Sequence, residues 1–360
     1  MTLVDDLVAI ASVPAPTFAE EARIAWLEAR LAELPGRRRR DAAGNLIWEW
    51  GEGRPRVLLA AHVDTVFPAD TELRFERDGS DLVGPGVGDN AAAVAVAIDV
   101  VGDLLREALG GPGAVAFTVG EEGLGNLCGA TAACAELRPE AFIALEGHML
   151  DRVYVDSVGS LRARITVTAP GGHSWEDRGA PSAIHEIFRL AAGLLELGTE
   201  AAPVNVGTVA GGRSVNTIAD RAELVVERRA IDQAELDAFA AALEALAPSP
   251  GCEVEVELLG RRPGGSLDRD SELYRIATEA HAGLGLAPEP GAASTDANAA
   301  CALGVPALCL GVSRGSGMHS LGERIDLDTL PTGVAQLRAV LSRLLGATDT
   351  PTTAAPAGGR

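Results

Sequence analysis

The feature that most constrains this chain is a set of short, wholly apolar runs that each stop at a histidine or a carboxylate. The clearest is Leu58-Leu59-Ala60-Ala61-His62-Val63-Asp64-Thr65-Val66, which breaks at Phe67-Pro68. A run of this kind suits a strand buried on both faces, as in parallel sheets covered by helices. Side chains alternate with period two along a strand, so His62 and Asp64 emerge on one side. A carboxylate beside an imidazole can fix its tautomer and strengthen it as a metal ligand. The same pair could equally satisfy each other at the end of an ordinary buried strand, so residues downstream must decide.

The runs alternate with helical patterns. A helical spacing of Leu3, Leu7, Ile10, Ile24, Leu27 and Leu31 covers 2–34, interrupted at Pro14 and Pro16. Strands are expected at Asn45–Trp50, 57–63, 114–119 and Ala141–Leu145, with helices at 91–109 and 128–137. Arg37–Arg40 reads as a solvated turn and 69–83 as a polar connection. Strands alternating with helices, each strand nearly all apolar, predict an α/β fold with a mostly parallel sheet.

The pattern changes near Ser157. Strand patterns at 161–169, 204–209, 222–230 and 252–258 enclose helical ones at 182–197 and 233–246. That βαββαβ order predicts a ferredoxin-like α+β unit inserted into the first domain. The chain then returns to helix (271–284), strand (305–311) and a closing helix (327–346). The expected division is 1–157 and 263–346 as two parts of one domain, 158–262 as the insert, and 347–360 as a disordered tail. The tail is rich in Thr, Ala, Pro and Gly.

A net charge of −21 argues against nucleic acid or an anionic membrane as partner. The cysteines (Cys128, Cys134, Cys252, Cys301, Cys309) form no C-x-x-C pair and are five in number, so they read as reduced and mostly buried. No basic, apolar leader opens the chain and no apolar run reaches the ~20 residues that span a bilayer. A soluble cytosolic protein is expected.

His62, Asp89, Glu121-Glu122, Glu146 and His319 all fall at the carboxyl ends of expected strands or in the loops after them. Open α/β sheets bind ligands there. Two histidines and several carboxylates in one place suit a pair of Zn²⁺-like ions, one carboxylate bridging and another free to act as a base. Taken singly, Asp89 could cap the following helix, Glu121-Glu122 could be a solvated turn and His319 an exposed loop residue. Glu146, closing the run Phe142-Ile143-Ala144-Leu145, is harder to place without a partner. His148, His185 and His281 read as ordinary exposed histidines. Gly84, Gly86 and Gly88 lack the G-x-G-x-x-G spacing of a dinucleotide loop.

The order His62-x-Asp64-Thr-Val, Gly88-Asp89-Asn90, Gly120-Glu121-Glu122-Gly123, Glu146, Gly171-Gly172-His173-Ser174 and His319 resembles the dinuclear zinc metallohydrolases. That family includes glutamate carboxypeptidase, aminoacylase, acetylornithine deacetylase, succinyl-diaminopimelate desuccinylase and peptidase T. The resemblance covers roughly 1–346. It implies that Asp89 bridges two divalent ions (zinc, with cobalt or manganese as alternatives), that His62 and Glu146 complete one site, and that Glu122 and His319 complete the other. It implies Glu121 as the general base acting on a bridging water, and Asp64 as the residue that orients His62. The insert would be a lid and dimerisation module whose His173 reaches a neighbouring subunit's site, and Asn216 and Arg262 would contact a substrate carboxylate. The implied substrate is a small peptide or N-acyl amino acid. The chain departs from the pattern in Asn90-Ala91-Ala92-Ala93, where relatives often have Lys-Gly-Gly. Glu146 is similar to the carboxypeptidases and deacylases, whereas His173-Ser174-Trp175 with Pro181–His185 is similar to peptidase T-like members. A non-catalytic, metal-dependent binding protein on the same fold is the alternative, which an intact Glu121 disfavours.

Overall fold

The structure is a computed structural model that describes residues 2–107, 110–287 and 289–346. The expected disordered tail at 347–360 lies outside the described residues.

The main sheet has nine strands among the described residues. Its centre is Val57–His62, hydrogen-bonded in parallel to Gly113–Thr118 on one side and Ala141–Glu146 on the other, with Ala307–Gly311 parallel to the latter. Every residue of these four strands is buried. Two-sided burial under helices explains why they carry no polar alternation. One helical layer contains Ala93–Arg106, packed against Leu3–Ala11 and Leu330–Leu345; the other contains Cys128–Leu137 and Ala297–Cys301. Small alanines on these helices let them approach the sheet closely, which suits a chain with 4% aromatic residues.

A second sheet holds Gly159–Thr168, Val204–Gly211, Arg221–Ala230 and Glu253–Arg262, all antiparallel, with Gly159–Thr168 and Arg221–Ala230 in the middle. This is the strand order of the expected ferredoxin-like unit. Along Arg221–Ala230, alternate residues Ala222, Leu224 and Val226 are buried beneath the helices Ala183–Leu195 and Gln233–Glu244. The other face is open and laced with charge: Arg162 pairs with Glu227 at 2.8 Å and Arg164 with Glu257 at 2.5 Å.

Several local expectations are corrected. Arg37–Arg40 is an edge strand paired with Leu46–Trp50, not a turn. Its arginines are satisfied from neighbouring elements, Arg37 and Arg39 by Glu49, Arg40 by Glu21 and Glu28. A charged edge of this type also resists pairing with another chain. The helical pattern at 2–34 is two helices, Leu3–Ala11 and Glu21–Leu31. The polar connection at 69–83 contains the strands Glu76–Asp78 and Asp81–Val83, which join Arg314–Ser316 and Arg324–Asp326 in a small sheet. Arg152–Ser157, not anticipated, is a further strand of the main sheet. Among the described residues no helix is long and apolar enough to cross a membrane.

Candidate metal centre

The strand ends bring the charged residues together. His62 closes its strand, Glu146 closes the next, and Glu121-Glu122 follow Gly113–Thr118 across the left-handed Gly120. Asp89 projects from the turn Val87–Ala92 that leads into helix Ala93–Arg106, and His319 from the loop after Arg314–Ser316. Asp89 Oδ1 lies 2.9 Å from His62 Nε2 and its Oδ2 lies 3.0 Å from His319 Nε2. Glu146 Oε2 is 3.7 Å from His62 Nε2, and Glu122 Oε1 is 3.2 Å from His319 Nε2. The result is two half-sites that share Asp89. Donor atoms of His62, Asp89 and Glu122 lie within 4.8 Å of one another.

The electrostatics are those of a crowded, buried anion cluster. Burial raises the Glu121 carboxyl well above its ordinary range, with Arg262 and His62 opposing and Asp296 and Glu122 adding to the rise. Burial likewise pushes Glu146 up to about 7. For Asp89, hydrogen bonds from His319 and His62 outweigh burial and hold the carboxyl well below its usual range. Bonds to Asp89 and Glu122 push His319 up to about 10. His62 is raised too, because Asp64, Asp89 and Glu146 outweigh its burial. Oxygen and imidazole donors without a thiolate, carrying more negative than positive charge, fit divalent ions of the zinc, cobalt or manganese type.

Two supporting residues have wider contacts than expected. Asp64 was expected to orient His62, whose Nδ1 lies 3.5 Å from Asp64 Oδ1 and 3.2 Å from its backbone carbonyl. Its carboxylate accepts shorter bonds from Glu121 N–H (3.0 Å), Glu122 N–H (2.9 Å) and the Thr17 hydroxyl (2.9 Å). Asp64 therefore holds the Glu121-Glu122 turn as well. Arg262, expected at a substrate carboxylate, is buried and donates from Nη1 to Glu121 Oε1 at 2.9 Å and to Ser294 Oγ at 3.2 Å. Its Nη2 donates to the Glu121 carbonyl.

His173 and Asn216 are not in this cluster. Both are exposed and lie beside each other where Gly172–His173 pairs with Thr217–Ile218. The Ser174 N–H donates to the Asn216 carbonyl at 3.0 Å.

A cleft of about 480 Å³ opens over the acids. Val66, Met149 and Met318 line it, together with Arg162, Arg229 and Arg262. Arg162 and Arg229 escaped the sequence reading because a charged residue on a strand's open face says nothing about which end meets a cleft. His148 and His281, read as exposed, are buried. His148 sits against Glu323, itself fully buried, at 2.7 Å. The Asn90 departure also has a local role. Its amide donates to the Leu145 carbonyl at 2.8 Å and accepts from Gly147 N–H at 2.9 Å, tying the Asp89 turn to the end of the Glu146 strand.

Residues 58–343 match the sequence profile of peptidase family M20/M25/M40. The chain belongs to that family. This is the family whose motifs the sequence resembles, and its members are peptidases and deacylases. A probable carboxypeptidase of Ajellomyces dermatitidis is 26% identical over 237 residues, 59% of this chain and 55% of that protein. The chain thus spans about half the length of the fungal relatives it matches. Succinyl-diaminopimelate desuccinylase of Gluconacetobacter diazotrophicus is 27% identical over 330 residues, 84% of each chain. In fold, a tripeptidase from Staphylococcus aureus superposes with a TM-score of 0.81 at 21% identity, covering 96% of this chain and 98% of that one.

Proposed function

We propose that this chain is a metal-dependent hydrolase that cleaves an amide bond in a small peptide or N-acyl amino acid. The observation that carries the proposal is Glu121: a buried carboxylate beside the Asp89 cluster, held by Arg262 and facing the cleft. A binding protein has no use for such a base. His62 and Glu146 would hold one ion, His319 and Glu122 the other, and Asp89 both; zinc suits the donors best. Bound there, the ions would make a water acidic enough to ionise near neutral pH and polarise the scissile carbonyl. Glu121 takes the proton of the attacking water and returns it to the leaving nitrogen, a transfer its raised pKa favours. Arg262 keeps that carboxylate turned toward the cleft. Arg162 and Arg229 offer forks for a carboxylate on the substrate.

Residues 158–262 are read as a lid that also pairs two subunits, with His173 and Asn216 serving the partner's site. Neither residue lines the cleft in a single chain, which supports that assignment. The catalytic domain is read as 1–157 and 263–346, a division that the presence of two separate sheets supports. Relatives in sequence point to carboxypeptidases and deacylases, and the likeness in fold points to a tripeptidase, so the substrate panel must contain all three types.

The test is elemental analysis with hydrolysis assays on dipeptides, tripeptides and N-acyl amino acids, for the wild type and Glu121→Gln. About two ions per chain, chelator-sensitive turnover, and a variant that keeps its metal but loses ~10²–10⁴ in kcat are expected. Wild-type turnover in Glu121→Gln refutes the mechanism. Tight ligand binding with no hydrolysis would favour a binding role.

A further inference from the structure

Glu323 is a fully buried carboxylate that the proposed mechanism does not use. Its Oε1 accepts the backbone N–H groups of Asp89 at 2.7 Å and Gly88 at 3.1 Å. Its Oε2 accepts the Gly86 N–H at 2.7 Å. His148 Nε2 completes the shell at 2.7 Å from Oε1. Since a carboxylate flanked by three N–H donors can only accept, the imidazole proton lies on Nε2. His148 Nδ1 has no hydrogen-bond partner among the described residues.

The cradle leaves no slack. A Cβ on Gly88 would lie 2.2 Å from His148 Nε2 and 2.7 Å from Glu323 Oε1. One on Gly315 would lie 2.6 Å from His148 Nδ1. Glu323 also belongs to the loop that carries His319: its N–H bonds to the Ser320 carbonyl, and Ser320 N–H to that of Gly317. Its own carbonyl accepts the Gly84 N–H at 2.8 Å. One residue therefore fastens the turn bearing Asp89 to the loop bearing His319, the two residues whose side chains meet at 3.0 Å.

We infer that Glu323, with His148 behind it, is a positioning pair that sets the Asp89 carboxylate between the two half-sites. Glu323 touches neither substrate nor the reacting atoms; it acts by fixing the backbone N–H of Asp89 and hence the direction of its side chain. Partners of this kind, one bond removed from the ligands, govern metal affinity by about 10–100-fold. The inference rests on the metal-centre reading above. It also explains the Gly84-x-Gly86-x-Gly88 pattern. Gly86 adopts φ 71° and Gly88 admits no side chain, so the turn can wrap the carboxylate.

The test uses Co²⁺-loaded full-length protein, whose visible absorption reports ligand geometry. Glu323→Gln keeps the shape but turns an NH₂ group toward backbone donors, and His148→Met removes the imidazole donor. Both are expected to alter the cobalt spectrum, weaken Co²⁺ affinity 10–100-fold in chelator competition, and lower kcat with KM little changed. His148→Gln, which presents an amide N–H toward Glu323, should recover most of the spectrum and affinity. A merely structural role would lower the melting temperature and leave the cobalt spectrum of the folded protein as in the wild type. That outcome in Glu323→Gln overturns the inference, as does it in His148→Met should the first variant fail to fold. A wild type that binds no Co²⁺ overturns the metal centre and this inference with it.

Discussion

Asp64→Asn is an isosteric change with a cost that can be worked from the contacts. Asp64 Oδ1 accepts the Glu121 N–H, and Oδ2 accepts the Glu122 N–H and the Thr17 hydroxyl. An asparagine amide has one accepting end. The Thr17 hydroxyl can rotate to accept from the NH₂, but a backbone N–H cannot, so one of the two N–H groups is orphaned whichever way the amide turns. A lost charge-assisted bond plus a buried, unpaired donor is worth about 3 kcal/mol, with a range of about 2–5. Equilibrium urea unfolding of chelator-treated protein at pH 7 measures it. The pH dependence supplies a check of sign. His62 and the two backbone N–H groups lower the Asp64 pKa against burial. Its stabilisation is therefore present above the unfolded value of 3.8 and lost as pH falls through the lower folded value. The gap between wild type and variant should close over that acid range. Metal affinity should fall 10–100-fold because the Glu121-Glu122 turn loosens. A loss under about 1 kcal/mol at pH 7 with unchanged metal affinity would refute the reasoning.

Two other perturbations bear on the same centre. Arg262→Met leaves Glu121 buried without its cation; breaking such a pair costs about 3–5 kcal/mol. Arg262 is what pulls the Glu121 pKa down against burial, so the acid limb of the kcat/KM profile should move to higher pH, and an unmoved limb would sink the assignment. Metal binding should release protons, since His319 is pushed up to about 10 and ligand imidazoles must be neutral. Affinity should accordingly climb with pH, and calorimetry in two buffers of different ionisation enthalpy that detects no proton release would contradict it.

The strands that carry the centre were legible because each must be apolar on both faces, which leaves a continuous signal ending at a polar residue. His62, Glu146 and Glu121-Glu122 could thus be placed at strand ends from the sequence. Arg37–Arg40 was not legible as a strand: its charges are satisfied by Glu21, Glu28 and Glu49, partners on other elements. Glu323 and His148 were hidden for the same reason. Their meaning lies in a contact 175 residues apart in the chain, and locally each is one polar residue in a Gly-rich loop. Arg162 and Arg229 needed the docking of one sheet against another to become part of a cleft.

The second sheet, that of Gly159–Thr168, is joined to the main one by two segments that run side by side, with Ser160 in register with Arg262. Arg229 pairs with Ser160 at that same end, whereas Thr168, leading toward His173, is at the other. Eight residues of strand separate Ser160 from Thr168, about 26 Å at ~3.3 Å per residue. The sheet is thus a lever with its arginines at the fulcrum. A swing of about 10° would carry the far tip ~4–5 Å on that ~26 Å arm, while Arg262 would hardly leave Glu121. In such a swing the tip beside His173 would travel while the Arg262 contact with Glu121 held.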